Sequence, residues 1–163
     1  MKPTLENLVL QQAYHTCMGH KIALQEALDD IQQHELTAEK LEGLTKDDRR
    51  LLDQFAYRYT RLQYDMGNRL MPATLQALGE EIAAMPVFDR LNRLEQLAWL
   101  PSAEEWVELR RIRNEFAHDY PETTEARFNR LQQAFNAARR ALEILEIFSL
   151  NIRKRFPEAT AGD

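Results

Sequence analysis

The sequence predicts an all-α fold, an up-down bundle of four to six helices forming a single domain. Three observations carry that reading. Only five glycines and six prolines are spread over 163 residues, against abundant Leu, Ala, Glu, Gln and Arg, which favours helix nearly everywhere and leaves too few turn residues for an antiparallel β fold. Apolar residues recur at spacings of three and four, the period of a helix with one buried stripe. A hydrophobic share of 44% beside 29% charged residues suits a globular chain long enough for one real core and short for two. The bundle is expected over residues 1–157, and the closing PEATAGD reads as a frayed end, so 158–163 is expected to be a disordered tail.

Each element follows from its own signals. Thr4 is a plausible N-cap, and Leu5, Val9, Ala13, Cys17, Leu24, Leu28 and Ile31 trace a stripe to about His34. A short helix from Thr37 to about Glu42 closes at Gly43. Thr45, followed by Asp47 and Asp48, opens a second long helix through Leu51, Phe55, Tyr59, Leu62, Met66 and Leu70, which Pro72 must kink or divide from a segment through Leu75, Leu78 and Ile82. Met85-Pro86 breaks the chain again, and Phe88, Leu91, Leu94 and Ala98 give a helix ending near Leu100. Ser102, with Glu105 three residues on, forms a capping box that starts the next helix; Pro121 ends it at about Asp119, with His118 in its last turn. Thr123 or Thr124 caps the last helix, whose seam runs from Phe128 through Leu131, Phe135, Ala138, Leu142, Leu145, Ser149 and Ile152 to Phe156. Ile144, Ile147, Phe148 and Leu150 widen that seam, so this helix sits centrally or meets another subunit.

Composition excludes several classes of function. A net charge of −5 argues against coating nucleic acid through bulk electrostatics, although Arg110, Arg111 and Arg113 form a local cluster. Arg139-Arg140 and Arg153 to Arg155 read as solvated or helix-terminal charge. No apolar run approaches a membrane span, no secretion signal is visible, and the single Cys17 reads as a buried thiol, which places the chain by default in a reducing cytoplasm. His15 and His20 are five apart and make no helical metal pair; there is no HExxH, Gly-rich phosphate loop or G-x-S-x-G, so no metal or cofactor is expected. The acid pairs Asp29-Asp30, Asp47-Asp48 and Glu80-Glu81 look like solvated helix ends. Tyr57, Tyr59 and Tyr64 with Arg58 and Arg61 read as a mixed core and salt-bridge face in preference to a base-stacking surface.

The stretch WVELRRIRNEFAHDYP, from Trp106 to Pro121, holds Arg113, His118 and Tyr120 in the pattern R-x4-H-x-Y. At roughly 100° per residue, Arg113 shares a stripe with Trp106, Leu109, Phe116, Ala117 and Tyr120, while His118 falls about 140° from Arg113. The two converge on one site only if the last turn unwinds or a second copy of the chain completes the cleft.

With its leading sequence LPSAEEWVELRRIRNEFAHDYPE, this motif resembles the HEPN superfamily, in particular the HepT-like toxins encoded beside minimal nucleotidyltransferases. The likeness is specific over about 102–122 and architectural elsewhere. It implies a helical bundle that dimerises with its motif helices facing a shared cleft, and metal-independent cleavage of RNA by Arg113 and His118. It also implies a nucleotidyltransferase antitoxin that silences the nuclease by adding AMP to Tyr120. The residue chemistry suits that task. Imidazole exchanges protons near neutral pH, as a general acid or base must, and a planar guanidinium can neutralise charge developing on phosphorus. Asn114 and Asp119 could orient His118 or contact RNA, or simply be exposed and cap-forming; Arg110 and Arg111 are candidate supporting cations. The alternative is a non-catalytic HEPN subunit that presents substrate to the transferase, and a helical dimer with no nucleotide chemistry stays open.

Overall fold

The computed structural model describes residues 2–118 and 123–162. Its elements are α1 (Leu5–Gln33), α2 (Ala38–Glu42), α3 (Lys46–Asp65), α4 (Met71–Ala77), α5 (Val87–Gln96), α6 (Ala103–Phe116) and α7 (Thr124–Arg155). With α3 and α4 taken as one interrupted rod, these make a single six-helix bundle, and no strand occurs among the described residues. The start signals hold at atomic level: Thr4, Thr37, Thr45, Ser102 and Thr123 each accept a backbone N–H from the first turn they precede, filling donors that helix ends otherwise leave unpaired.

Four details differ from the sequence expectation, each for a local reason. Pro72 does not end the rod, whose helical turns run on through it. It cannot donate to the carbonyl four residues back, and its ring would crowd that carbonyl, so the helix opens into a π turn at Met66–Leu70 before α4 begins. Helix α5 stops at Gln96, short of Leu100, because Ala98 takes the left-handed conformation (φ 63°) while Ala98 N–H donates to Glu95 and Trp99 N–H to Leu94. Helix α6 stops at Phe116, so His118 lies beyond the last turn, its N–H drawn to Glu115 in a tightened three-residue step. The tail expected from residue 158 instead continues as a 3-10 turn, Pro157–Thr160, whose Ala159 is buried.

The core is one contiguous cluster drawn from α1, α3, α4, α5, α6 and α7. On α7 the residues from Ala134 to Ile152 are buried on two faces, including Ile144 and Phe148. Its broad seam is thus used inside the protomer, with Leu150 left 47% exposed. Trp99 tilts onto Phe148 and Phe156 and closes the lower end. Under the C-terminal end of α6, Phe55 stacks on Tyr59 at 5.5 Å and meets Phe135 edge-on at 4.8 Å, while Phe116 leans on both Phe55 and Tyr59. Each such pair adds roughly 0.5–1.5 kcal/mol beyond burial, so the end of the motif helix is anchored to α3 and α7 by rings. Cys17 is buried, as expected, and that burial pushes its thiol up to about 12.

Candidate functional site

Ser102 accepts the N–H of Glu105 at 3.1 Å, which makes the first half of the expected capping box. The second half is replaced: the Glu105 carboxylate takes two bonds from Arg140 of α7, at 3.1 and 3.0 Å, and the N–H of Ala103 goes to Glu95. The motif helix is therefore fixed at its start by α5 and α7, and at its end by the aromatic cluster.

Between those anchors Trp106 and Leu109 face inward, and Arg113 follows them on the same stripe, half-buried. Its guanidinium lines a cavity of about 80 Å³ between α6 and the π turn, walled by Gln63, Asn68, Arg90, Trp106 and Arg110 over an apolar floor of Met71, Leu91 and Leu94. Since about 10–15 Å³ of such space admits one water, this volume suits a few waters or a small oxyanion. The π turn packs Gly67 against Trp106: a Cβ there would make an ordinary van der Waals contact, 3.4 Å from the indole nitrogen.

The electrostatics of that cavity are one-sided. Three arginines and no carboxylate appear among its described walls. Arg90 is committed to the Met85 and Ile82 carbonyls. Arg113 has its Nε buried without a hydrogen-bond partner, and burial, reinforced by the neighbouring Arg110, pulls its guanidinium below the ordinary arginine value. Gln63 is only 3% exposed, yet both amide atoms lack partners, and the Tyr59 hydroxyl is likewise buried and unpartnered. Orphaned polar groups of this kind cost about 1–3 kcal/mol each, and here Gln63 and Arg113 border the same space.

The other motif residues are distributed around this feature. His118 is exposed beyond α6 and is not among the described walls of the Arg113 cavity; its carbonyl accepts a 2.7 Å bond from Arg130. Asn114 is exposed. Arg111 forms ion pairs with Glu108 and Glu115, which hold its guanidinium above its ordinary value and match its charge, unlike that of Arg110. Tyr120 and Asp119 lie outside the described residues. Among the described residues no group of three or more His, Cys, Asp or Glu is arranged to hold a metal, and no helix is long and apolar enough to cross a membrane.

Two polar features were not legible in the sequence. Gln63 carried no motif. His20, which the sequence excluded only from a metal pair, bonds through Nε2 to the fully buried Asp65 at 3.1 Å while its Nδ1 faces the Arg58 guanidinium at 3.3 Å, with Arg61 and Arg69 flanking the same carboxylate. Because guanidinium only donates, Nδ1 is an acceptor and the proton sits on Nε2. No family model, curated protein or solved structure matches this chain.

Proposed function

We propose that this chain is a HEPN-type endoribonuclease toxin working in a cytoplasmic setting, with Arg113 as the phosphate-binding cation, His118 as the proton-transfer group, and a minimal nucleotidyltransferase as antitoxin. The observation that carries the proposal is the Arg113 guanidinium, unmatched by any carboxylate among the described residues and bordering a cavity of oxyanion size beside Arg110. Even a half-buried cation with an unpartnered donor carries a desolvation cost that a ligand of opposite charge would offset. A scissile phosphodiester is such a ligand, and its transition state, with more charge on the non-bridging oxygens, would be held more tightly than its ground state.

In this mechanism an imidazole removes the ribose 2′-proton, the 2′-oxygen attacks phosphorus, and a second proton donor releases the 5′-oxygen, leaving a 2′,3′-cyclic phosphate. His118 is two residues past α6, away from the Arg113 cavity walls, so a second copy of the chain is proposed to complete the cleft. Val87, on the cavity wall and 54% exposed, supports a protein contact there. Asn114 and Asp119 keep their proposed role of orienting His118 or touching RNA.

The test is cleavage of a single-stranded RNA by the purified protein in EDTA, with product ends identified by mass. His118→Ala and Arg113→Ala should each lower the rate by roughly 10²- to 10⁴-fold while circular dichroism stays native. Equal activity in both folded variants would remove the motif from the chemistry. The second reading, a non-catalytic HEPN subunit presenting substrate to a transferase, is favoured by the separation of His118 from the Arg113 cavity. It predicts RNA or nucleotide binding without cleavage.

A further inference from the structure

Helix α3 presents a stripe that neither the core nor the motif explains. The three tyrosines of that segment separate in the fold: Tyr59 is fully buried, whereas Tyr57 and Tyr64 are 57% and 43% exposed. Tyr57, Arg61, Tyr64 and Asn68 fall at spacings of four, three and four, so they share one face of the helix. The Arg58 guanidinium lies 5.4 Å from the Tyr57 ring centre and the Arg61 guanidinium 5.7 Å from that of Tyr64, holding both phenol rings beside positive charge. At its far end the stripe runs into the cavity already described, since Asn68 is one of its walls and Tyr64 is close enough to Arg113 to act on its charge. Asp53, one turn before Tyr57, is the exposed acid that bounds the stripe at the other end.

From these positions we propose that the Tyr57–Arg61–Tyr64 face of α3, continued by Asn68 of the π turn, is a binding platform for single-stranded RNA, along which a strand runs into the Arg110–Arg113 cavity. The inference rests on the ribonuclease reading and deepens it, by naming this face of α3 as the track along which the strand is held. The two exposed tyrosines are seven positions apart, roughly 10 Å along the helix, so the rings take bases that are not neighbours in an extended strand. A duplex hides its base faces and cannot stack on them. Stacking on phenol is indifferent to base identity, so the platform selects strandedness more than sequence. Arg61 sits between the rings, over that of Tyr64, where a backbone phosphate would pass, and its contact with Asp65 is long, at 3.9 Å.

The test uses fluorescently labelled 2′-O-methyl oligonucleotides, which lack the attacking hydroxyl and cannot be cut by the proposed chemistry, with binding read by anisotropy at low salt. Wild-type protein should bind the single strand and prefer it to the matching duplex. Tyr57→Ala and Tyr64→Ala should each weaken binding by roughly 5- to 100-fold, Tyr→Phe at the same positions should retain it, and Arg61→Ala should lessen the salt dependence. Both tyrosines are exposed, so the variants should fold, and sedimentation of each checks that self-association is unchanged. RNA cleaved normally by both alanine variants, with no loss of binding, overturns the platform and leaves the nuclease reading standing. Tyrosine-dependent binding with no cleavage by wild type supports the platform and overturns the nuclease reading. Wild type that neither binds nor cleaves overturns both. Variants that alter only self-association assign the stripe to a second copy of the chain and also overturn it.

Discussion

The guanidinium of Arg130, in the second turn of α7, donates to the carbonyl oxygen of His118 at 2.7 Å and reaches the Glu115 carbonyl at 3.4 Å. A cation from the following helix thus caps the end of the motif helix, where the last carbonyls have no partner within the helix and the helix dipole is negative. Removing it should loosen the backbone that carries His118 with little effect on the core. Arg130→Ala is expected to lower RNA cleavage by roughly 10- to 100-fold, the scale on which small misplacements of a reacting group act. Arg130→Lys should recover part of the loss, since lysine also donates to carbonyls. Unchanged single-turnover rates in Arg130→Ala would show that the placement of His118 does not depend on this bond.

Gln63 makes a prediction that separates stability from function. Its amide is buried with both atoms unpartnered, and replacing an unsatisfied buried group by an apolar one of similar shape is neutral or stabilising. Gln63→Met is therefore expected to raise the melting temperature by about 2–6 °C and to show a smaller stabilisation by inorganic phosphate than the one expected of the wild type if a phosphate seats in the Arg113 cavity. Calorimetry with and without phosphate measures both effects. A lowered melting temperature, or an undiminished response to phosphate, would show that the amide serves packing alone.

His20 and Asp65 predict a pH dependence whose sign can be stated. Burial pushes the His20 imidazole below its ordinary value, against the pull of Asp65, and Arg58 and Arg61 add to the depression. A histidine with a depressed value in the fold holds fewer protons than it does in the unfolded chain. Its contribution to stability is present above the unfolded value of about 6.5 and is lost as pH falls through the lower value of the folded state. Denaturant midpoints measured at pH 7.5 and at pH 5.5 should fall farther in wild type than in His20→Gln, which keeps a donor for Asp65 without the titration. An equal drop in both proteins would place the pH sensitivity elsewhere.

Tyr120 carries the regulatory prediction. Added AMP would place a bulky adenosine and a phosphodiester charge two residues from His118, where a bound RNA phosphate would be repelled or displaced. Co-expression with an active minimal nucleotidyltransferase, the proposed antitoxin, is expected to add one or more AMP units to Tyr120 and abolish RNA cleavage. Intact mass and peptide spectra locate the adduct. A Tyr120→Phe variant that the transferase still neutralises would put the control at another residue.

Helix starts were legible in the sequence because they depend on short-range chemistry: Thr4, Thr37, Thr45, Ser102 and Thr123 each cap the first turn that follows them. The core stripes were legible for the same reason, since the burial of Phe55, Leu62, Leu145 and Ile152 follows directly from helical periodicity. Helix ends were harder. Ala98 adopts a left-handed conformation that glycine usually announces, and the π turn before Pro72 answers a backbone clash that several geometries could relieve. The role of Glu105 also belonged to the tertiary structure. Its spacing from Ser102 predicted a capping partner, but Arg140, thirty-five residues away, offers its carboxylate a guanidinium fork that the local N–H cannot match. The candidate site divides in the same way. Sequence marked Arg113 by its motif, whereas the cavity, the unpartnered Gln63 and the outward turn of Tyr57 and Tyr64 arise only when α3 packs against α6, because they depend on which faces of two distant helices are covered.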